Sequence, residues 1–227
     1  MKMNKNYKKS YKATDKELVS LSVYNVGIQL CDPLHQWGPG IRDHYLIHYV
    51  ISGKGFYKTG KKIYELHAGD TFLVYPNTEV LYYAAEQDPW EYAWVGFSGS
   101  DASMILTATD FTPETPVITA TPLGNDIHRQ ILHIYDARGN EFEHAVEMTG
   151  RLYTMLALFM HGATHSTTQN SANSYVQKGI EYISSNYSYA ITVEDIASYV
   201  GVSRSHLFRS VRALGSFNHC DCELPGF

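Results

Sequence analysis

The chain has 227 residues, 44% of them hydrophobic, with 18 Lys and Arg against 23 Asp and Glu for a formal net charge of −5. That length suits two domains, and that composition can bury a core, which excludes a chain disordered throughout. Three cysteines exclude a disulfide framework and point to a reducing cytoplasm, and no apolar run approaches the ~18 residues of a membrane span. The N-terminal lysines precede no apolar run, so no signal peptide is expected. A nucleic-acid binder of this net charge must concentrate its cations locally. Two places do so: the segment Arg204–Arg212, and the lead-in with Lys2, Lys5, Lys8, Lys9, Lys12 and Lys16.

Residues 1–17 read as a polar, solvated tail without regular structure. From Leu18 to Trp94 the hydrophobic period is near two. Strands are expected over 21–30, 45–52, 55–59, 62–66, 71–75, 79–84 and 92–98. The turn signals Gly53-Lys-Gly55, Thr59-Gly-Lys61 and Ala68-Gly-Asp70 separate several of them. Many short strands at regular spacing predict a sandwich or barrel rather than a βαβ fold. After Gly99 the period becomes helical. Helices are expected over 101–109, over 125–138 with Ile127, Ile131, Ile134 and Tyr135 on one side, and over 142–161. The last carries Ala145, Met148, Leu152, Met155, Leu156 and Phe159, a stripe wide enough to meet both the β domain and a twin helix. Residues 165–173 are polar and read as a linker. Ser174 is expected to cap a helix through Ser185 with Val176, Ile180 and Ile183 inward.

Residues 191–211 then read as two short helices around a tight turn. Thr192 can cap the first, with Glu194 and Asp195 at the positive end of its dipole. Ala197 is small where a second helix would cross, and Gly201 suits a turn that needs positive φ. Ser203 can cap the second helix, with Leu207, Phe208 and Val211 as its apolar stripe. This spacing fits a helix-turn-helix, and also a plain αα-hairpin. For a major groove the outward candidates are Ser203, Arg204, Ser205, His206, Arg209 and Arg212.

Four segments together resemble the AraC/XylS family of transcription regulators, most nearly its sugar-operon activators. They are Arg42-Asp-His-Tyr-Leu-Ile-His-Tyr-Val-Ile-Ser-Gly-Lys-Gly-Phe56, Leu66-His-Ala-Gly-Asp-Thr-Phe-Leu-Val-Tyr-Pro76, Pro89-Trp-Glu-Tyr-Ala-Trp-Val-Gly-Phe-Ser-Gly99 and Thr192–Val211. The resemblance implies an α+β chain. A cupin-like β-barrel of jelly-roll type binds a small sugar effector, helices follow, and a small all-α domain holds a helix-turn-helix. It implies a homodimer through the helix at 142–161, DNA as a partner, and no cofactor. The boundaries it suggests are a tail at 1–17, an effector-binding and dimerisation domain at 18–165, a linker at 166–173 and a first helix-turn-helix subdomain at 174–212. An N-terminal arm over the effector is also implied, drawn from within residues 10–25.

By alternation Arg42, His44, Leu46 and His48 share one strand face, and Tyr92 and Trp94 share another. The resemblance makes these faces the effector pocket, with Tyr82 or Tyr83 beside them. Arg and His would bond sugar hydroxyls, while Tyr and Trp offer flat faces to a pyranose ring. Tyr92 and Trp94 would serve equally well as core. A metalloenzyme is the contrary reading, since some cupins hold metals. His44 and His48 are four apart, hence ~13 Å apart along a strand and too distant to share one ion. No catalytic or metal-binding residues are therefore assigned, and His219, Cys220 and Cys222 are read as an accidental cluster. Family members carry two helix-turn-helix units joined by a long helix. Here residues 213–227 run off pattern and end in Pro225-Gly226-Phe227. The expectation is a truncated product with weakened operator binding, or alternatively a stand-alone sugar-binding dimer acting on full-length regulators.

Overall fold

The structure is a computed structural model and describes residues 6–13, 18–164, 171–186 and 190–215. The fold is α+β, and its contacts divide the chain into two compact units, Met1–Ser166 and Thr167–Phe227. The first unit contains ten strands: β1 (Tyr7–Lys12), β2 (Ser22–Leu30), β3 (Gln36–Ile41), β4 (Tyr45–Ser52), β5 (Lys54–Thr59), β6 (Lys62–His67), β7 (Thr71–Val74), β8 (Glu79–Ala84), β9 (Glu91–Ser98) and β10 (Val117–Ile118). Its helices are α1 (Ala102–Leu106), α2 (Gly124–Asp136) and α3 (Phe142–His161).

The strands form two sheets, one in the order β1-β2-β9-β4-β7-β10 and one in the order β3-β8-β5-β6. Alternation along β4 and β9 divides the interior. Ile47, Tyr49, Ala93, Val95 and Phe97 bury one face of the larger sheet against Ile127, Ile131 and Ile134 of α2 and Leu152, Met155 and Leu156 of α3. Leu46, Val50, Tyr92 and Trp94 point the other way. They share a second core with Tyr57 and Leu66 of β5 and β6, Phe72 of β7 and Val80 and Tyr82 of β8. Within it Phe72 stacks between His48, at 4.3 Å, and Tyr57, at 4.7 Å. Bare glycines permit two close approaches. A Cβ on Gly55 would stand 2.3 Å from the Trp90 ring, and one on Gly27 would stand 2.5 Å from both the Trp94 ring and the Lys9 carbonyl oxygen.

Three strands depart from the sequence reading, the two-residue β10 among them. The lead-in is not a structureless tail: β1 pairs antiparallel with β2 from Tyr7↔Leu30 to Lys12↔Asn25. It is an edge strand whose side chains are mostly exposed, so it has no apolar alternation to betray it. Lys2, Lys5 and Lys16 lie outside the described residues. β3 was also not expected, because Gly38-Pro39-Gly40 interrupts it. It lies at a sheet edge and its register with β8 shifts between Trp37 and Gly40, which is where proline and glycine are tolerated.

The second unit contains α4 (Ser171–Asn186), α5 (Val193–Val200) and α6 (Arg204–Gly215). Thr192 and Asp195 form a reciprocal capping box, the Thr192 hydroxyl accepting from the Asp195 N–H. Gly201 ends α5 at φ +79°, and the Ser203 Oγ accepts from the His206 N–H at 3.2 Å. α4 starts three residues before Ser174. Its contact with α5 is made at Gly179, where a Cβ would stand 3.3 Å from Ile196. Ile180 and Ile183 are exposed, contrary to their expected inward placement. The α6 stripe is narrower than its letters suggest. Leu207 is buried, but Phe208 is 65% exposed and Val211 48% exposed, because a three-helix unit covers only a limited arc of α6. Residues 166–170 of the expected linker and 216–227 of the off-pattern tail lie outside the described residues.

Candidate functional site

A cavity of about 210 Å³ opens in the first unit. Lys8, Ser10, Tyr11 and Lys12 of β1 line it, with Asn25 and Gln29 of β2. His35, Trp37 and Arg42 add to its wall, as do Leu46 and His48 of β4, Tyr82 of β8, and Tyr92 and Trp94 of β9. Alternation explains most of the choice along each strand, Tyr11 of β1 being the exception. Residues 8, 10 and 12, then 25 and 29, then 46 and 48, then 92 and 94 share faces.

The aromatic groups form the walls. Trp37 stacks on Tyr82 with centroids 5.3 Å apart. The Arg42 guanidinium lies 3.9 Å above the Trp37 ring and donates to the Tyr82 hydroxyl at 3.3 Å. That sandwich fixes a cation at the cavity while leaving its Nε–H without a partner among the described residues. His48 is only 2% exposed. It stacks on Phe72 and meets Tyr82 and Tyr92 with centroids 5.0 and 5.1 Å away. Burial, and then the Arg42 charge, hold His48 well below its ordinary value of 6.5, so the imidazole is neutral. Burial likewise raises Tyr82 and Tyr92, which keeps both phenols protonated. The His48 Nδ1 and the Asn25 Oδ1 are buried without hydrogen-bond partners among the described residues, as is the Arg42 Nε. The Gln29 amide nitrogen approaches the His35 Nε2 at 3.1 Å. From β1, the Lys8 Nζ stands 5.6 Å over Trp94 and the Lys12 Nζ 5.1 Å over Tyr24.

Five of the seven effector residues anticipated from sequence meet here: Arg42, His48, Tyr82, Tyr92 and Trp94. His44 does not line the cavity. It stacks on Tyr24 at 4.0 Å, its Nδ1 lies 2.7 Å from the Asp43 carboxylate and its Nε2 3.4 Å from the Asn25 amide nitrogen. Of the pair Tyr82 or Tyr83, only Tyr82 faces inward, from the opposite sheet rather than a strand beside β4. Tyr83 stacks on Phe56 on the other face. Lys8, Ser10, Tyr11, Lys12, Asn25, Gln29, His35 and Trp37 escaped the sequence reading. Asn25 and Gln29 did leave a signal, as polar residues on one face of an apolar strand. β1, residues 7–12, lines the cavity mostly ahead of the range 10–25 in which the arm was expected.

In the second unit Ser203, Arg204, Ser205, His206, Arg209 and Arg212 are all exposed. Arg204 reaches back to Glu194 at 2.7 Å, and the Arg209 Nε donates to the Ser205 carbonyl at 3.3 Å. Among the described residues no group of three or more His, Cys, Asp or Glu could hold a metal ion. His219, Cys220 and Cys222 lie outside them. No helix among them is long and apolar enough to cross a membrane.

A β unit with a polar-lined cavity and a capped helix-turn-helix in one chain define a DNA-binding transcription regulator with its own sensor domain. The AraC-like ligand binding domain family matches residues 22–156. The Msm operon regulatory protein of Streptococcus mutans is 32% identical over 89% of this chain and 74% of its own length. The lactose operon transcription activator of Staphylococcus xylosus is 26% identical over 88% of this chain and 72% of its own. The solved AraC-like transcriptional activator CuxR is 17% identical, with a TM-score of 0.41 over 88% of this chain and 73% of its own. The chain belongs to the AraC family of transcription regulators.

His48 gives the site a pH signature. With its pKa depressed by folding, the unfolded chain binds more protons below about pH 6.5. Its contribution to stability is complete above that pH and declines as the pH falls, by about 1.4 kcal/mol per unit until the folded pKa is reached. Urea denaturation of the wild type and His48→Gln between pH 5 and 8 is expected to show a shallower acid loss in the variant. Parallel curves would contradict the assignment.

Proposed function

We propose that this chain is a sugar-responsive, cytoplasmic regulator whose first unit is a cupin-like barrel of jelly-roll type. In this reading the cavity takes a small sugar. The observation that carries it is the union of three unpartnered buried polar atoms, on Asn25, Arg42 and His48, with the flat walls of Trp37, Tyr92 and Trp94. Buried polar groups without partners are costly, and sugar hydroxyls can both donate to them and accept from them. The aromatic faces suit the C–H side of a pyranose. His44 supports the site indirectly, by holding Asn25. The sugar operon named for the Staphylococcus xylosus relative points the same way.

The effector-binding and dimerisation domain is assigned to residues 18–165 with β1 as its arm, and the helix-turn-helix unit begins at α4. Ser203 and the α6 N-terminus face phosphate, and Ser205, His206, Arg209 and Arg212 face the groove. Arg204 must leave Glu194 before it can contact DNA. Separate sites predict separable losses. In a thermal-shift screen of mono- and disaccharides, a sugar at 100 times its Kd adds ~2.7 kcal/mol to the wild type. Arg42→Ala is expected to abolish that shift and retain binding to DNA selected from a random library by the wild-type chain. Arg209→Ala is expected to keep the shift and lose ~1–3 kcal/mol on that DNA. Equal damage to both functions by either variant would sink the division.

The homodimer is assigned to α3. Its outer face exposes Phe142, Val146 and Met160, with Tyr153 between them. These positions recur at intervals of four and seven, so they form one stripe that borders the buried one. Sedimentation equilibrium should return a dimer for the wild type and a monomer for Val146→Glu/Met160→Glu. A monomeric wild type would refute the assignment.

A further inference from the structure

The charge lining the cavity is one-sided. Lys8, Lys12 and Arg42 contribute three cationic side chains, and among the described residues no Asp or Glu lines it. This asymmetry is local, since the chain as a whole carries a net charge of −5. The nearby carboxylates are committed elsewhere: Glu91 accepts from the Tyr7 hydroxyl and Asp43 faces His44. No ion pair among the described residues engages Lys8, Lys12 or Arg42. What holds these cations is aromatic. Lys8 lies over Trp94, Lys12 over Tyr24 and Arg42 over Trp37.

A site built for an uncharged sugar must accept protons as well as give them, because every hydroxyl is a donor. Carboxylates are the strongest acceptors for that task. Here the acceptors are the Asn25 and Gln29 amides, the neutral His48 imidazole and the Tyr82 and Tyr92 phenols, while the charged groups only donate. Such a set fits a ligand richer in acceptors than a plain sugar. The cavity volume is about 210 Å³. That is the scale of one sugar ring with a small substituent rather than of a trisaccharide.

We propose that the effector is a single-ring sugar bearing an anionic group, phosphate or carboxylate, drawn in by Lys8 and Lys12 of β1 and by Arg42. This rests on the sugar-sensing assignment of the cavity and narrows it. The cations come from two elements, β1 and the connection between β3 and β4, and each lies over a different ring, so the selection is by local positive potential. Because two of them ride on β1, the bound anion also ties that strand down over the ligand.

The test is calorimetric titration of the whole chain with glucose, galactose, their 6-phosphates and their uronates. The expected result is a phosphate or uronate that binds at least about tenfold tighter than its parent sugar, the worth of one charge-assisted hydrogen bond. That advantage should shrink at about 0.5 M salt. It should fall in Lys8→Gln/Lys12→Gln, measured as the ratio of the charged derivative's affinity to the parent sugar's affinity in the same variant. The preferred member of the pair identifies the anionic group. Parent sugars binding as tightly as their charged derivatives would overturn this inference and leave the sugar-sensing assignment standing. So would an advantage untouched by the double variant. Failure of all six compounds to bind would overturn this inference, and the sugar-sensing assignment would then stand or fall on the thermal-shift screen.

Discussion

The strict two-residue alternation of β4 and β9, in the middle of the larger sheet, sets up the first unit. Odd positions from Ile47 to Phe97 give the helices α2 and α3 a surface to bury, and even positions give the second sheet its core. A one-residue slip would send Ile47 and Val95 toward the cavity and His48 and Trp94 toward the helices. The helix side is all apolar and closes tightly. The other side mixes His48 and Arg42 with large rings, and it is there that packing stops short and leaves a cavity. Structure and sensing are thus divided between two faces of the same strands.

The polar groups of the cavity are held by rings rather than by opposite charges. Phe72 supports His48, Trp37 and Tyr82 support Arg42, and Trp94 and Tyr24 receive the arm lysines. Cation–π contacts of this kind fix a cation's position while leaving its donors available. Gly27 makes the arrangement fit, since β1 and the Trp94 ring both approach its backbone too closely for any side chain.

Much of this was legible in the chain itself. Seven strands stood out because their apolar residues alternate, and α3 was expected with the same ends because its stripe is long. The turn of the helix-turn-helix was legible because Thr192, Gly201 and Ser203 each answer a specific backbone need. Three strands were hidden for physical reasons. β1 is an exposed edge rich in lysine, β3 is broken by Gly38-Pro39-Gly40, and β10 is only two residues long. β1 and β3 carry Lys8, Ser10, Tyr11, Lys12 and Trp37 of the cavity, which escaped with them. Alternation also offered His44 a place in the cavity, but pairing with Asp43 and stacking on Tyr24 hold its ring behind Asn25. Phe208 looked like core because hydrophobicity does not reveal how much of a helix its neighbours cover.

The central claim is that the cavity lined by β1, β2, β4 and β9 of one sheet and by Trp37 and Tyr82 of the other is where the effector acts. Amide hydrogen exchange of the whole chain, with and without a sugar or sugar derivative that raises its melting temperature, tests this most directly. Slower exchange is predicted in the β1 residues 7–12 and the facing β2 residues 25–30, where a bound ligand would pin the arm. Protection confined to other segments, with β1 exchanging at the same rate in both states, would contradict it.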